Sequence, residues 1–192
     1  MGNDYLAQTV KPEEAELEYL AKAVFSENAM GGRNAWLADA NVFINRLDEG
    51  GYGKDLQSVI KKSSSAVRTN SKQWQIANNQ NDMNFVERLV FSKIKESLRP
   101  LLTEDRVDNT KGATFFENVD KFGNPNWIDE VEETVKIGRH TYFKPKTKFK
   151  PESALAKVTK PTFGEAFAAA RKAGKKTFMW NGEKKTTKLR GE

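Results

Sequence analysis

Two apolar repeats at helical spacing, separated by a Gly-Gly step, set most of what this chain can fold into. Leu17, Leu20, Ala21, Val24 and Phe25 recur at intervals of three and four, which marks one buried face of a helix. Pro12 stands at the start of that repeat, and Glu13-Glu14 suit the N-terminal end of a helix dipole. Gly31-Gly32 ends it, because glycine tolerates the left-handed conformation that stops a helix. Trp36, Leu37, Ala40, Phe43, Ile44 and Leu47 form a second stripe, closed by Gly50-Gly51-Tyr52-Gly53. The spacing predicts helices over 13–29 and 34–48, a short helix over 55–62 and a long one over 82–98. The last is expected to start on Asn81 or Asp82 and to turn Phe85, Leu89, Ile94 and Leu98 inward. Residues 63–81 are polar apart from Trp74 and Ile76 and read as a long loop, which in a compact domain is usually functional or disordered.

The pattern changes after Pro100. Gly112-Ala113-Thr114-Phe115-Phe116 reads as a strand from its aromatic content, Gly123-Asn124-Pro125-Asn126 as a turn, and Arg139-His140-Thr141-Tyr142-Phe143 as a partner strand. Residues 145–162 carry alternating lysines with Pro145, Pro151 and Pro161 and read as a linker. Beyond it, an alanine-rich helix from Phe163 to Ala173 precedes Thr177-Phe178-Met179-Trp180. Asn181-Gly182, the strongest short hairpin signal, follows, with a return strand over 183–189. The expected fold class is α+β, a mostly helical domain with a small antiparallel hairpin, plus a small helix-hairpin unit at the C-terminus. The expected divisions are an N-terminal arm over 1–15, a main domain over 16–144, the linker over 145–162 and the terminal unit over 163–192. A helix and one hairpin are too small to fold well alone, so the terminal unit is expected to dock on something.

Composition closes several routes. There is no cysteine, hence no disulfide and no thiolate metal site, and the single histidine, His140, excludes a multi-histidine zinc centre. A Ser-His-Asp triad would have to use His140. No metal or cofactor is implied. The N-terminus lacks a basic run followed by an apolar core, and no apolar run approaches the ~20 residues of a membrane span, so a chain made soluble in a cytoplasm is expected. The net charge of +6 is uneven: residues 144–192 hold 14 Lys+Arg against 4 Asp+Glu, a net +10, while residues 1–143 are net −4. A cationic tail can bind nucleic acid, anionic wall polymers or an acidic partner, or can simply be solvated. No standard nucleic-acid-binding motif accompanies it, so nucleic acid ranks last among its partners.

Glu27 is the residue with most chemistry in prospect. It follows Val24 by three positions and so lies at the edge of the apolar face of the first helix. It is either a surface glutamate in a last turn or a carboxylate held over a cleft. Partial burial disfavours the charged form of a glutamate, and a glutamate so raised can donate a proton near neutral pH.

Several segments, in order, resemble the bacterial cell-wall hydrolases related to the spore-cortex-lytic enzymes. Ala23-Val24-Phe25-Ser26-Glu27-Asn28 resembles that family's glutamate segment, and Val42-Phe43-Ile44-Asn45-Arg46 its apolar run ending in Asn-Arg. Gln73-Trp74 falls where the family has a Gln-aromatic pair. Gly112-Ala113-Thr114-Phe115-Phe116 resembles its Gly-Ala-Thr strand, Trp127 the tryptophan that follows, and Ile137-Gly138-Arg139-His140-Thr141-Tyr142-Phe143 its closing strand. The resemblance covers about residues 16–144. The chain departs from the family where Asn28-Ala29-Met30-Gly31 replaces an Ala-Arg-Gly, and where Phe115-Phe116-Glu117 replaces a His-Tyr-His.

The resemblance implies a lysozyme-like fold of the lytic-transglycosylase kind, peptidoglycan glycan strands as substrate, and Glu27 as the catalytic residue. Most glycosidases need two carboxylates. Asp39, Asp48, Glu49 and Glu117 are the available partners, and none stands out by its sequence context. A lytic transglycosylase works with one: the glutamic acid protonates the glycosidic oxygen beside N-acetylmuramic acid, then takes the proton of the sugar's own 6-hydroxyl as a 1,6-anhydro ring closes. Hydrolysis through a positioned water stays open. Gln73, Thr114, Asn118 and Tyr142 are the expected sugar contacts, as amide, hydroxyl and aromatic groups. Asn45 is expected to close backbone groups, Arg46 to pair with an acid, and His140 to be a satisfied strand residue. The C-terminal unit resembles a short tail on some tailed-phage virion and lysis-related proteins. That likeness implies a phage enzyme held in the virion or in the host cytoplasm before release, acting on the wall, with other virion proteins as partners of the tail. The rival reading is a non-catalytic structural or ejection component of a virion, motivated by the Phe115-Phe116-Glu117 departure.

Overall fold

A computed structural model describes residues 12–103, 106–147, 163–172, 174–180 and 183–187. Helix α1 (Pro12–Asn28) and helix α2 (Arg33–Glu49) follow the two apolar repeats closely. Leu17, Leu20, Ala21, Val24 and Phe25 are buried, and they pack with Trp36, Ala40, Phe43 and Ile44 of α2 into the main core. Helix α3 (Leu56–Ser63) starts on a capping box in which Asp55 and Ser58 exchange side-chain and backbone hydrogen bonds.

The polar stretch after it is not a loop. Helix α4 (Ser65–Arg68) is capped by Ser64, and helix α5 (Lys72–Asn78) by Ser71. Serines that read as loop composition are N-caps, which is where their short hydroxyl side chains do best. Trp74 lies edge-on to Tyr19 of α1 with centroids 5.4 Å apart, and Ala77 is buried, so the segment covers the core.

Helix α6 (Phe85–Leu98) begins later than expected, on an Asn84–Glu87 capping box. Its inward face is Phe91, Ile94 and Leu98, and this corrects the expected stripe. Phe85 is 78% exposed and Leu89 46% exposed. The positions 91, 94 and 98 keep the three-and-four spacing of one helix face, whereas 89 and 94, five apart, do not.

The β element is larger than a hairpin. Strand β1 (Phe115–Glu117), strand β2 (Val131–Ile137) and strand β3 (His140–Pro145) form an antiparallel sheet in the order β1-β3-β2. The expected pairing of the two aromatic strands holds, with Phe115 opposite Phe143 and Phe116 opposite Tyr142. The addition is β2, whose Glu132, Glu133 and Lys136 hide it from a hydrophobic pattern. Charged residues of this kind suit an edge strand. A four-residue helix α7 (Val119–Phe122) links β1 toward Trp127. Phe115, Trp127, Val131 and Phe143 make a small core under the sheet. In the C-terminal unit, helix α8 (Phe163–Lys172) and the antiparallel pair β4 (Thr177–Trp180) and β5 (Glu183–Thr186) follow the sequence reading. The Asn181-Gly182 turn, the N-terminal residues 1–11 and the linker residues 148–162 lie outside the described residues.

Candidate active site

Glu27 lies in the last turn of α1 and is half-buried. Its Oε1 accepts two hydrogen bonds, from the Ser64 hydroxyl at 2.6 Å and from the Ala66 backbone N–H at 3.0 Å. The Ser64 oxygen itself accepts from the Val67 N–H at 3.2 Å, so the cap of α4 leaves the hydroxyl hydrogen to Glu27. One residue thus starts a helix and holds the carboxylate. The backbone of the same turn is also held. Arg139 Nη2 donates to the Glu27 carbonyl, and Trp36 Nε1 donates to the carbonyls of Asn28 at 3.0 Å and Ala29 at 3.2 Å.

Arg46 lies further along α2, with only 3% of its surface exposed. Its Nε donates to the Thr114 carbonyl at 2.6 Å, and its guanidinium carbon stands 5.7 Å from the Tyr52 ring centroid, 5.8 Å from Phe43 and 5.9 Å from Phe115. Arg46 was expected to pair with an acid; among the described residues it forms no ion pair, and rings and a carbonyl surround it instead. Burial lowers its pKa to about 10, against the opposing pull of Tyr52, Glu27 and Glu49. Partial burial raises the Glu49 carboxyl, while Arg46 and then Thr114 act the other way. Thr114 Oγ1 lies beside the Glu49 carboxyl and the Tyr52 hydroxyl without completing a hydrogen bond to either. Arg46 Nη1, Tyr52 OH and Thr114 Oγ1 are three buried polar atoms without a hydrogen-bond partner. Such groups are rare in native proteins and point to a water or a ligand. Thr114 and Glu49 also line an open cleft of about 460 Å³, whose walls include Asn45, Gly112, Lys144 and Lys146.

Asn45 holds the sheet side of this cleft in place. Its Nδ2 donates to the Ala113 carbonyl at 2.9 Å, to Asp108 Oδ2 at 3.1 Å and to Thr110 Oγ1 at 3.2 Å, which is the backbone-closing role expected of it. Burial alone would raise the Asp108 carboxyl, but hydrogen bonds from Thr110, Gly112 and Asn45 outweigh it and hold the group below the ordinary carboxylate range.

The four expected sugar contacts separate in space. Thr114 belongs to the cleft. Gln73 is exposed on α5 and is not among the donors to the Glu27 carboxyl. Asn118 caps α7, its Oδ1 accepting from the Lys121 N–H at 3.2 Å. Tyr142 is wholly buried and donates its hydroxyl to Asp39 at 2.6 Å, so it is corrected from a sugar contact to a core residue. His140 is the satisfied strand residue expected, with Nδ1 3.0 Å from Asp39 and its ring 4.9 Å from that of Phe116. Sequence reasoning missed the roles of Ser64, Tyr52 and Asp39, taking Ser64 as loop, Tyr52 as part of a helix-ending run and Asp39 only as a possible second acid. The Ser63-Ser64-Ser65 run offers a cap signal, and the place of Asp39 between the apolar residues Leu37 and Ala40 is the sequence signal that could have marked it as buried. Among the described residues no three His, Asp or Glu side chains gather as metal ligands would.

The profile of one protein family, described as Cell Wall Hydrolase, matches residues 31–143, more than half of the chain. The chain belongs to the cell wall hydrolase family. The matched residues take in Arg46, Glu49, Ser64, Gln73, Thr114, Asn118 and Tyr142, and begin four residues after Glu27. Among solved structures, the catalytic domain of the Bacillus cereus SleB protein is similar, at 19% identity and a TM-score of 0.46, covering 74% of this chain and 98% of that one. No curated protein matches.

Proposed function

We propose that this cell wall hydrolase cleaves the glycan bond between N-acetylmuramic acid and N-acetylglucosamine in peptidoglycan, with Glu27 as its acid and base. The observation that carries the reading is the way Glu27 is held: half-buried, with both hydrogen bonds on Oε1, from Ser64 and Ala66. Oε2 is then the oxygen that presents a proton to the substrate. Positioning of a carboxyl group by fixed donors is what general acid catalysis requires.

The reaction proposed is that of a lytic transglycosylase. The Glu27 carboxyl gives its proton to the glycosidic oxygen as the bond from that oxygen to C1 of the muramic sugar breaks. The carboxylate formed then takes the proton of the 6-hydroxyl, whose oxygen closes on C1 to give the 1,6-anhydro sugar. Proton and electron pair balance within substrate and Glu27, with no water consumed. A second reading has one observation behind it. Glu49, raised by partial burial, lines the cleft beside Thr114 and could act on a water, which would make the products those of hydrolysis.

Purified peptidoglycan incubated with the wild type and with Glu27→Gln, and read by mass spectrometry, tests both. Anhydro-muropeptides from the wild type alone are expected. Reducing-end products from the wild type alone would favour the Glu49 route. Equal products from both proteins would remove Glu27 from the chemistry. We further infer from the tail resemblance that the basic C-terminal unit anchors or targets a phage enzyme. Deletion of residues 163–192 is therefore expected to leave cleavage of purified wall intact.

A further inference from the structure

Asp39 is fully buried midway along α2, and the reaction proposed above does not use it. A buried carboxylate is costly unless its oxygens are well met. Here three donors meet it. Asn28 Nδ2 donates to Oδ2 at 2.9 Å, the Tyr142 hydroxyl donates to Oδ1 at 2.6 Å, and His140 Nδ1 lies 3.0 Å from that same oxygen. A carboxylate only accepts, so His140 carries its hydrogen on Nδ1. Burial and then the charge of Asp39 push the Tyr142 phenol far above its ordinary range, which keeps it a donor.

What Asp39 grips is the turn that carries Glu27. Asn28 is the next residue, and its side chain fits against Gly31, where a Cβ would stand 2.5 Å from Asn28 Nδ2. The turn's carbonyls are taken by Arg139, which precedes β3, and by Trp36, three residues before Asp39 on α2. Asp39 therefore touches the turn through Asn28 and the first residues of β3 through His140 and Tyr142. Neither the carboxylate nor its partners reach the cleft.

We propose that Asp39 is a positioning residue for Glu27: it ties the last turn of α1 to β3 and so sets the direction in which the Glu27 carboxyl points. The proposal rests on the Glu27 reading above.

The test is a side-chain exchange followed by steady-state kinetics on soluble glycan fragments, with kcat and KM determined separately. Asp39→Asn sets two amide N–H groups against each other or makes the Asn28 amide, whose Oδ1 has no partner, turn over, and Asn28→Asp sets two carboxylates together. In the double variant donor and acceptor change places, because the amide at 39 can still accept from His140 and Tyr142 while donating to the carboxylate at 28. Each single variant is expected to lose about tenfold to a hundredfold in kcat with KM little changed, the scale of a small misplacement of a catalytic group. The double variant is expected to recover most of that loss, and the fall in kcat at unchanged KM in a folded single variant is what a general loss of stability would not predict. Wild-type kcat in a folded Asn28→Asp protein would overturn the proposal, as would a double variant no better than the worse single one. Should Asn28→Asp fail to fold, Asn28→Ala cuts the same hydrogen bond, and wild-type kcat there overturns the proposal equally. A Glu27→Gln protein that cleaves normally sinks the Glu27 reading instead, and the proposal with it.

Discussion

Helix α2 buries two charges of opposite sign two turns apart, and they are treated in opposite ways. Asp39 has donors on both oxygens and is sealed between α1 and β3, and the unpaired atom beside it is the Oδ1 of its partner Asn28. Arg46 has one strong hydrogen bond, an unpaired Nη1, and two further orphan hydroxyls nearby on Tyr52 and Thr114, one of which borders an open cleft. A charge whose own atoms are all met specifies one arrangement of the chain, whereas a charge with an unpaired atom keeps interaction energy in reserve for whatever completes it. On the proposed reading the middle of the helix, at Asp39, aims Glu27, while its last turns, with Asn45, Asp48 and Glu49, line the cleft.

The comparison can be broken or sharpened by substitution. The largest effect is expected from Glu27→Gln, which should lower cleavage by about 10²–10⁴-fold without loss of stability, checked by kinetics beside a melting curve. Tyr142→Phe removes a donor from a buried carboxylate and should cost about 1.5–3 kcal/mol in denaturant unfolding. A negligible cost would deny that the Asp39 centre is the satisfied one. Ser64→Ala takes away one of the two hydrogen bonds on Glu27 Oε1 and should reduce kcat by about tenfold, the equivalent of one modest hydrogen bond.

Asp108→Asn should destabilise by about 1–2 kcal/mol at neutral pH. Because hydrogen bonds hold the Asp108 carboxyl below its ordinary value, its stabilising effect is present above the unfolded carboxylate pKa and is lost as pH falls through the lowered folded value. The difference between the two proteins should therefore shrink on acidification below about pH 4, and thermal melts across that range check the sign. The smallest effect on stability belongs to Thr114→Val. Its hydroxyl has no partner to lose, so unfolding should change by less than about 0.5 kcal/mol while affinity for glycan fragments weakens. A stability loss as large as that of Tyr142→Phe would erase the contrast between the two centres.

The α1 and α2 repeats, the Asp55 start of α3, the pairing of Phe115 with Phe143 and the helix-hairpin order of the C-terminal unit were legible in the chain. Each rests on local periodicity or on a cap and turn residue. The errors came where several segments had to be read together. The stripe on α6 was misplaced because Phe85 and Leu89 are apolar yet exposed, and nothing local says which apolar residues face a neighbour. Strand β2 was missed because its charges suit an edge. Residues 63–81 were misread because serines that cap helices have loop composition.

By itself, the sequence determined the helical repeats, the absence of thiol chemistry, the basic tail and Glu27 as a carboxylate at the edge of a buried face. Spacing along one chain is enough for those. Only the tertiary structure decided that Ser64 and Ala66 hold Glu27, that Tyr142 serves Asp39 inside the core, and that Arg46 lies among rings instead of against an acid. The hydrogen bonds among these join residues 37 to 103 positions apart. Hydrogen bonds and burial depend on distance in space, which a linear pattern does not carry.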